Sequence, residues 1–134
     1  MTTDSKTIAV DAAPFIFPTR VYWEDTDAGG VVYHAQYVAF LERTRTEWLR
    51  ARGYAQEQLR QTHDLVFAVR AMRLDFLRPA RLDDLLQVSA RIHQCKRASV
   101  VFAQTIERGG KRDARGADLV HGCCDRHRKI RGAG

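Results

Sequence analysis

The chain has 134 residues, 45% hydrophobic and 28% charged, which fits one globular domain and excludes a disordered or fibrous chain. No apolar run approaches the roughly 20 residues of a membrane span, and Lys6-Thr-Ile-Ala-Val precedes Asp11 without a secretory leader, so a cytoplasmic protein is expected. The net charge of +6 would suit nucleic acid, but residues 1–106 hold 14 Lys+Arg against 12 Asp+Glu and residues 107–134 hold 8 against 4, so the excess is a basic tail and no nucleic-acid partner is expected.

In chain order, residues 1–14 are small and polar and read as a loose arm. Phe15 to Trp23 reads as a strand, with Val21 and Trp23 on one face and Arg20 and Tyr22 on the other. Glu24-Asp25-Thr26-Asp27-Ala28-Gly29-Gly30 reads as a loop, because Asp, Thr and paired Gly do not continue a strand. Ala35 to Arg52 is one long amphipathic helix. Tyr37, Leu41, Thr44 and Trp48 form its stripe, flanked by Val38 and Leu49, and Glu42, Arg43, Glu47 and Arg50 cover the other side. Gly53 is placed to end it, and a further helical turn or two is expected within Ala55–Gln61.

The period then changes to two. Leu65, Phe67, Val69 and Ala71 alternate with polar or small residues, after which the parity flips to Met72, Leu74 and Phe76. That flip predicts a β-bulge near Ala71, in a strand that Pro79 closes. Leu86, Val88, Ala90 and Ile92 alternate with Gln87, Ser89, Arg91 and His93 as a half-buried strand. Lys96-Arg97-Ala98 is a turn, and Val100–Ile106, apolar on both faces, predicts a central strand. Gly109-Gly110 is another turn. Beyond Lys111 the pattern fades: Ala117, Leu119 and Cys123 alternate weakly, His121 interrupts them, and Arg126 to Gly134 shows no core pattern.

Three cysteines, Cys95, Cys123 and Cys124, give an odd count and read as free thiols. His121-x-Cys123-Cys124-x-x-His127 lacks the separated Cys pairs of zinc sites, so no metal is expected. The layout is α+β: one helix and an antiparallel sheet that must cover each other. A sheet with one helix and two open edges favours dimerisation through edges or faces.

The chemistry concentrates in Tyr22–Tyr37, where a carboxylate sits in a Gly-rich loop running into the helix. A helix N-terminus offers free N–H groups and a positive dipole end, and glycine lets backbone approach a ligand closely. A carboxylate beside such donors serves as nucleophile or base on a polarised carbonyl. The same spacing also fits a structural role, in which Asp25 or Asp27 makes an Asx-turn that orders the loop and His34 caps or packs.

The order of residues carries more than the spacing. Asp25-Thr-Asp-Ala-Gly-Gly-Val-Val-Tyr-His34, with the helix through Thr46-Glu-Trp-Leu-Arg50, Phe67-Ala-Val-Arg70, Phe76-Leu-Arg-Pro-Ala-Arg-Leu-Asp-Asp84 and Ser99-Val-Val-Phe102, resembles the YbgC-type branch of the 4-hydroxybenzoyl-CoA thioesterase family over about residues 16–108. The resemblance implies a hotdog fold, about five antiparallel strands wrapped around one long helix. It implies hydrolysis of acyl-CoA thioesters without metal or cofactor, in a homo-oligomer, dimer or tetramer, with sites at subunit interfaces and acyl carrier protein as a further partner. It puts the catalytic carboxylate on Asp27, a catalytic role on His34, substrate contacts at Gly30 and Tyr33, and phosphate-binding cations at Lys96 and Arg97. A non-catalytic hotdog module that binds acyl-CoA or acyl carrier protein is the alternative. A carboxylate at Glu42 or Glu47 would belong to another hotdog lineage. Two departures stand out: Trp23 replaces the branch's usual Tyr and supplies only an indole N–H, and the sequence from Lys111 onward does not match the family. By this resemblance residues 1–134 form a single hotdog domain, with residues 111–134 as an atypical tail.

Overall fold

The stripe read on the helix is the face that the protein buries. The computed structural model describes residues 14–53, 65–95, 99–108 and 118–130. The helix α1 spans His34–Ala51, and Tyr37, Leu41, Thr44 and Trp48 are all buried along it. Gly53 follows with φ +92°, the left-handed geometry that ends a helix without a Cβ clash.

Five strands complete the fold: β1 (Phe15–Arg20), β2 (Leu65–Phe76), β3 (Leu85–Cys95), β4 (Ser99–Arg108) and β5 (Asp118–Ile130). They form one sheet in the order β1-β3-β4-β5-β2, every described pairing antiparallel. With one long helix against it, this is the hotdog arrangement that the resemblance implies. β4, read as central, is the middle strand. The expected bulge in β2 falls between Val69 and Ala71, where the register to β5 shifts.

Two expectations change. The first strand ends at Arg20 rather than Trp23, and Trp23–Asp25 is a 3-10 turn. Val21 is fully buried while Trp23 is 79% exposed, so the two do not share a face. The cause is Asp25, whose carboxylate takes the Tyr22 N–H at 2.8 Å and curls the chain out of the strand. The second change is at the C-terminal end: residues 126–130, without a core pattern, continue β5. The arm at residues 1–13, the helical turns at Ala55–Gln61, and the turns at Lys96–Ala98 and Gly109–Gly110 lie outside the described residues.

The core has two apolar clusters. Val21, Val32, Tyr37, Phe40, Leu41, Ala80, Leu86, Val88 and Ile106 pack around the N-terminal half of α1. Trp48, Leu49, Ala90, Ile92, Val100 and Phe102 pack around the C-terminal half, with the Trp48 and Phe102 rings edge-on at 5.1 Å. A polar layer of Thr44, Arg45, Ser89 and Gln104, all buried, accompanies them. Gln104 donates from Nε2 to the carbonyls of Leu41 and Ser89, each at 3.1 Å, and its Oε1 accepts from Arg45 Nη1 at 2.6 Å. Arg45 Nη2 reaches Glu42 at 2.7 Å.

A buried cation is costly once it loses a partner, more so than an apolar pair of similar volume. Gln104→Leu is therefore expected to destabilise the fold by about 2–3 kcal/mol in urea unfolding. Adding Arg45→Met should return at least about 1 kcal/mol of that loss. A double variant less stable than Gln104→Leu alone would contradict this account.

Candidate active site

The site grows from the turn after β1. Val21 donates its N–H to the Asp84 carbonyl and accepts from Asp83 N–H, at 2.9 and 3.0 Å, so the chain leaves the sheet locked to the 81–84 turn. Asp25 is 5% exposed and takes three bonds. Oδ2 accepts from Tyr22 N–H at 2.8 Å, Oδ1 from Gln36 Nε2 at 2.9 Å, and its main-chain carbonyl from Tyr33 N–H at 3.0 Å.

Residues 26–32 form a small closed loop. Thr26 and Val32 pair as an isolated bridge, the Asp27 N–H donates to Val31 C=O at 2.8 Å, and the Gly30 N–H donates to Asp27 C=O at 3.0 Å. Gly30 has φ +80°, which a side chain at that position would disfavour. Asp27 makes the Asx-turn: Gly29 N–H donates to its Oδ1 at 2.8 Å. A Cβ on Gly29 would stand 3.3 Å from that same oxygen. Asp27 is nevertheless exposed, and its Oδ2 has no hydrogen-bond partner among the described residues.

The two aspartates of the motif therefore differ. Asp25 is a buried structural carboxylate, whereas Asp27 is fixed by one oxygen and open at the other. Spacing alone did not separate them.

The loop closes onto the helix start. Val32 N–H donates to Ala80 C=O at 2.8 Å, and Val31 bridges to Arg81. Tyr33 is the N-cap of α1 and makes no side-chain capping bond. His34, exposed, is its first residue, and the Tyr33 and His34 rings lie 4.5 Å apart. The first-turn N–H groups, a helix's natural anion site, are thus not covered by a capping side chain. Asp27, Gly30, Tyr33 and His34 share this one loop–helix junction. Lys96 and Arg97 lie outside the described residues.

Three supports of the site escaped sequence reading. Gln36 stands three residues after the N-cap, the Glu/Gln position of a capping box, but Tyr33 in place of Ser or Thr hides that signal. Ala80 is fully buried and carries two bonds, accepting from Val32 and donating its N–H to Tyr37 Oη at 2.9 Å. Tyr37 itself was read only as core. Beside the junction, an open depression of about 900 Å³ is lined by Arg20, Tyr22, Trp23, Glu24, Leu82 and Asp83. Its lining includes neither Asp27 nor His34.

Among known proteins, the thioesterase superfamily matches residues 29–114. The chain is 48% identical over 94 residues to the acyl-CoA thioesterase YbgC of Haemophilus influenzae, covering 70% of this chain and 69% of that one. It is 45% identical over 111 residues to the acyl-CoA thioester hydrolase YbgC of Escherichia coli, covering 83% and 82%. A crystal structure of a probable thioesterase from Bartonella henselae superposes with TM-score 0.82 at 35% identity, over 91% of this chain and 96% of that one.

Tyr37 gives this junction a testable support. Without its hydroxyl, the buried Ala80 N–H is left unpaired, so Tyr37→Phe is expected to cost about 1–3 kcal/mol. Burial is the main influence on the Tyr37 hydroxyl and raises its pKa above 10.0, with the Ala80 hydrogen bond opposing. A folded-state pKa above the unfolded one gives stability that is full below about pH 10 and is lost as pH climbs past it. Thermal unfolding of the parent should therefore fall more steeply above about pH 10 than that of Tyr37→Phe. Parallel curves would remove Tyr37 as the source.

Proposed function

The chain belongs to the thioesterase superfamily and hydrolyses acyl-CoA thioesters to free acid and CoA, and we propose that Asp27 is the carboxylate that carries the reaction. The observation that supports this is the contrast within the motif: Asp27 is exposed and held by one oxygen, at the mouth of a helix whose N-cap residue offers no side-chain cap.

The thioester carbonyl lies over the first turn of α1, with its oxygen on the open N–H groups. Asp27 either takes a proton from water as the water adds to the carbonyl carbon, or adds itself to give a mixed anhydride that water then opens. In both routes the oxyanion that develops is held by main-chain donors, an interaction for which each donor is typically worth about 10²–10³ in rate. The C–S bond breaks and the thiolate, a good leaving group, departs with a proton that this reading assigns to His34. Gly30 lets the loop backbone come close to the acyl group, and the Tyr33 ring walls it. Asp27→Asn is expected to lower kcat by about 100- to 10,000-fold on acyl-CoA while the variant melts like the parent. A folded Asp27→Asn enzyme at the parent rate would overturn the assignment.

The same reading gives Lys96 and Arg97 to the phosphates of CoA, contributed from a second copy. β3 starts at Leu85, one residue past Asp84 and the site, and ends at Cys95. Eleven residues of strand put its ends about 30 Å apart, farther than one extended CoA spans. Lys96 follows Cys95, so its cation serves a site whose Asp27 belongs to another protomer. The edge strands agree with association: β1 exposes Ile16, and β2 exposes Val69 and ends at the exposed pair Phe76 and Leu77. We read the working form as a homo-oligomer, dimer or tetramer, in the cytoplasm, with acyl carrier protein as a second thioester donor. No described helix is long and apolar enough to cross a membrane.

Replacing Lys96 and Arg97 together by Ala should raise KM for acyl-CoA about tenfold or more, with a smaller change in kcat. Co-refolding that double variant with Asp27→Asn should restore low-KM turnover, because one mixed site holds an intact Asp27 and intact cations. An unchanged KM in the double variant, or no recovery in the mixture, would count against the shared site.

A further inference from the structure

A helix usually needs a Ser, Thr, Asp or Asn at its N-cap to hold its first turn, and that side chain occupies one of the open N–H groups. Here the N-cap is Tyr33, with no side-chain cap. The first turn is tied down by another route. Gln36, in that turn, donates from Nε2 to Asp25 Oδ1 at 2.9 Å. The other carboxylate oxygen of Asp25 holds the Tyr22 N–H, and its carbonyl holds the Tyr33 N–H.

Asp27 is two residues past Asp25, and His34 is two residues before Gln36. The Asp25–Gln36 bond joins the segment bearing one to the turn bearing the other. Gln36–Asp25 is the side-chain hydrogen bond between this segment and α1 among the described residues; a main-chain bond from the N-cap Tyr33 N–H to the Asp25 carbonyl runs beside it, and Thr26 to Val32 and Asp27 to Val31 lie within the loop itself. Asp25 is also a buried carboxylate with neutral donors and no ion pair among the described residues, an arrangement that costs stability and that an apolar residue would avoid.

We propose that Asp25 and Gln36 are a positioning pair for thioester hydrolysis: they hold Asp27 at the correct offset from the α1 N-terminus while leaving the N–H groups of His34 and Ala35 open to substrate, the Gln36 N–H being taken by the Tyr33 carbonyl. Neither touches the reacting atoms. This rests on Asp27 as the catalytic carboxylate. A displacement of the reacting groups by about 1 Å costs on the order of 100-fold in rate, so the pair acts on kcat rather than on binding.

The test is a swap. Gln36→Glu sets two carboxylates against each other. In the double variant D25N/Q36E the bond is rebuilt in reverse: the amide introduced at position 25 donates to the carboxylate introduced at position 36, while its carbonyl still accepts from Tyr22 N–H. Steady-state kinetics on one acyl-CoA should show kcat of Gln36→Glu down about 10- to 100-fold with KM within about twofold. The double variant should recover most of that kcat, and its melting temperature should match the parent's. A merely structural role would move the melting temperatures and leave kcat per folded enzyme alone. Parent-level kcat in Gln36→Glu overturns the proposal. So does a double variant that melts like the parent yet stays slow, which covers the case in which Gln36→Glu alone fails to fold. Asp27→Asn assayed alongside separates this from failure of the catalytic assignment, since an active Asp27→Asn enzyme sinks that reading whatever the swap does.

Discussion

Both amide protons of Gln104 go to main-chain carbonyls, one on helix α1 and one on strand β3, while its oxygen takes a proton from Arg45. Apolar packing alone would let a helix slide or roll on a sheet, because dispersion has little direction. A fully satisfied amide in the middle strand does not permit that. It fixes where Leu41 sits over β4, and with it the level at which α1 begins. Ser89 answers on the same stretch of β3: its hydroxyl accepts the Thr105 N–H at 2.9 Å, so the ladder remains satisfied where the Gln104 amide takes the Ser89 carbonyl. The polar layer costs desolvation and returns register, which a site built at a helix end requires.

From that level the N-terminal turn is held by a short brace. Ala80 takes the Val32 N–H and gives its own to Tyr37. Arg108, at the end of β4, donates to the Pro79 carbonyl at 2.9 Å and to Asp84 at 3.1 Å. The segment between β2 and β3 is therefore tied to the middle strand on one side and to the loop of Asp27 on the other. Exposed chemistry on a loop becomes precise only when the loop is anchored to rigid elements, and these bonds are that anchorage. Trp23, 79% exposed, takes no part in it through its side chain among the described residues.

The helix and the bulge in β2 were legible because each rests on periodicity, which burial follows directly, and the central place of β4 because Val100–Ile106 is apolar on both faces. The loop motif was legible as a string of residue types. Spacing alone did not divide its labour, since Asp25 and Asp27 are the same residue two positions apart and differ in burial and in the donors around them, Gln36 Nε2 among those of Asp25. The early end of β1 was misread for a related reason: alternation predicts a strand until a side chain captures a nearby N–H, and Asp25 captures that of Tyr22. Gln36 and Tyr37 belong to a helix pattern in which polar means outside and aromatic means core, and their second roles are contacts of long sequence separation that no local pattern carries.

β5 shows where pattern reading stops altogether. Its register sets Val120, Gly122, Cys124 and Arg126 opposite Ile106, Gln104, Phe102 and Val100 of β4. Those β4 residues are buried, yet the β5 series contains a glycine and an arginine, so no apolar stripe announces the strand. What holds it is the backbone. β5 lies between β4 and β2 and pairs with both along most of its length, so its N–H and C=O groups are satisfied on two sides whatever its side chains. A sheet in which β2 reaches β4 only through β5 requires a strand there, and the requirement is met by ladder bonds that any non-proline sequence can make. The charge arithmetic meets the fold at this point: three of the eight Lys and Arg of residues 107–134, set against two Asp, lie within an interior strand. They belong to the architecture that carries β2, and so to the edge on which a second copy would build.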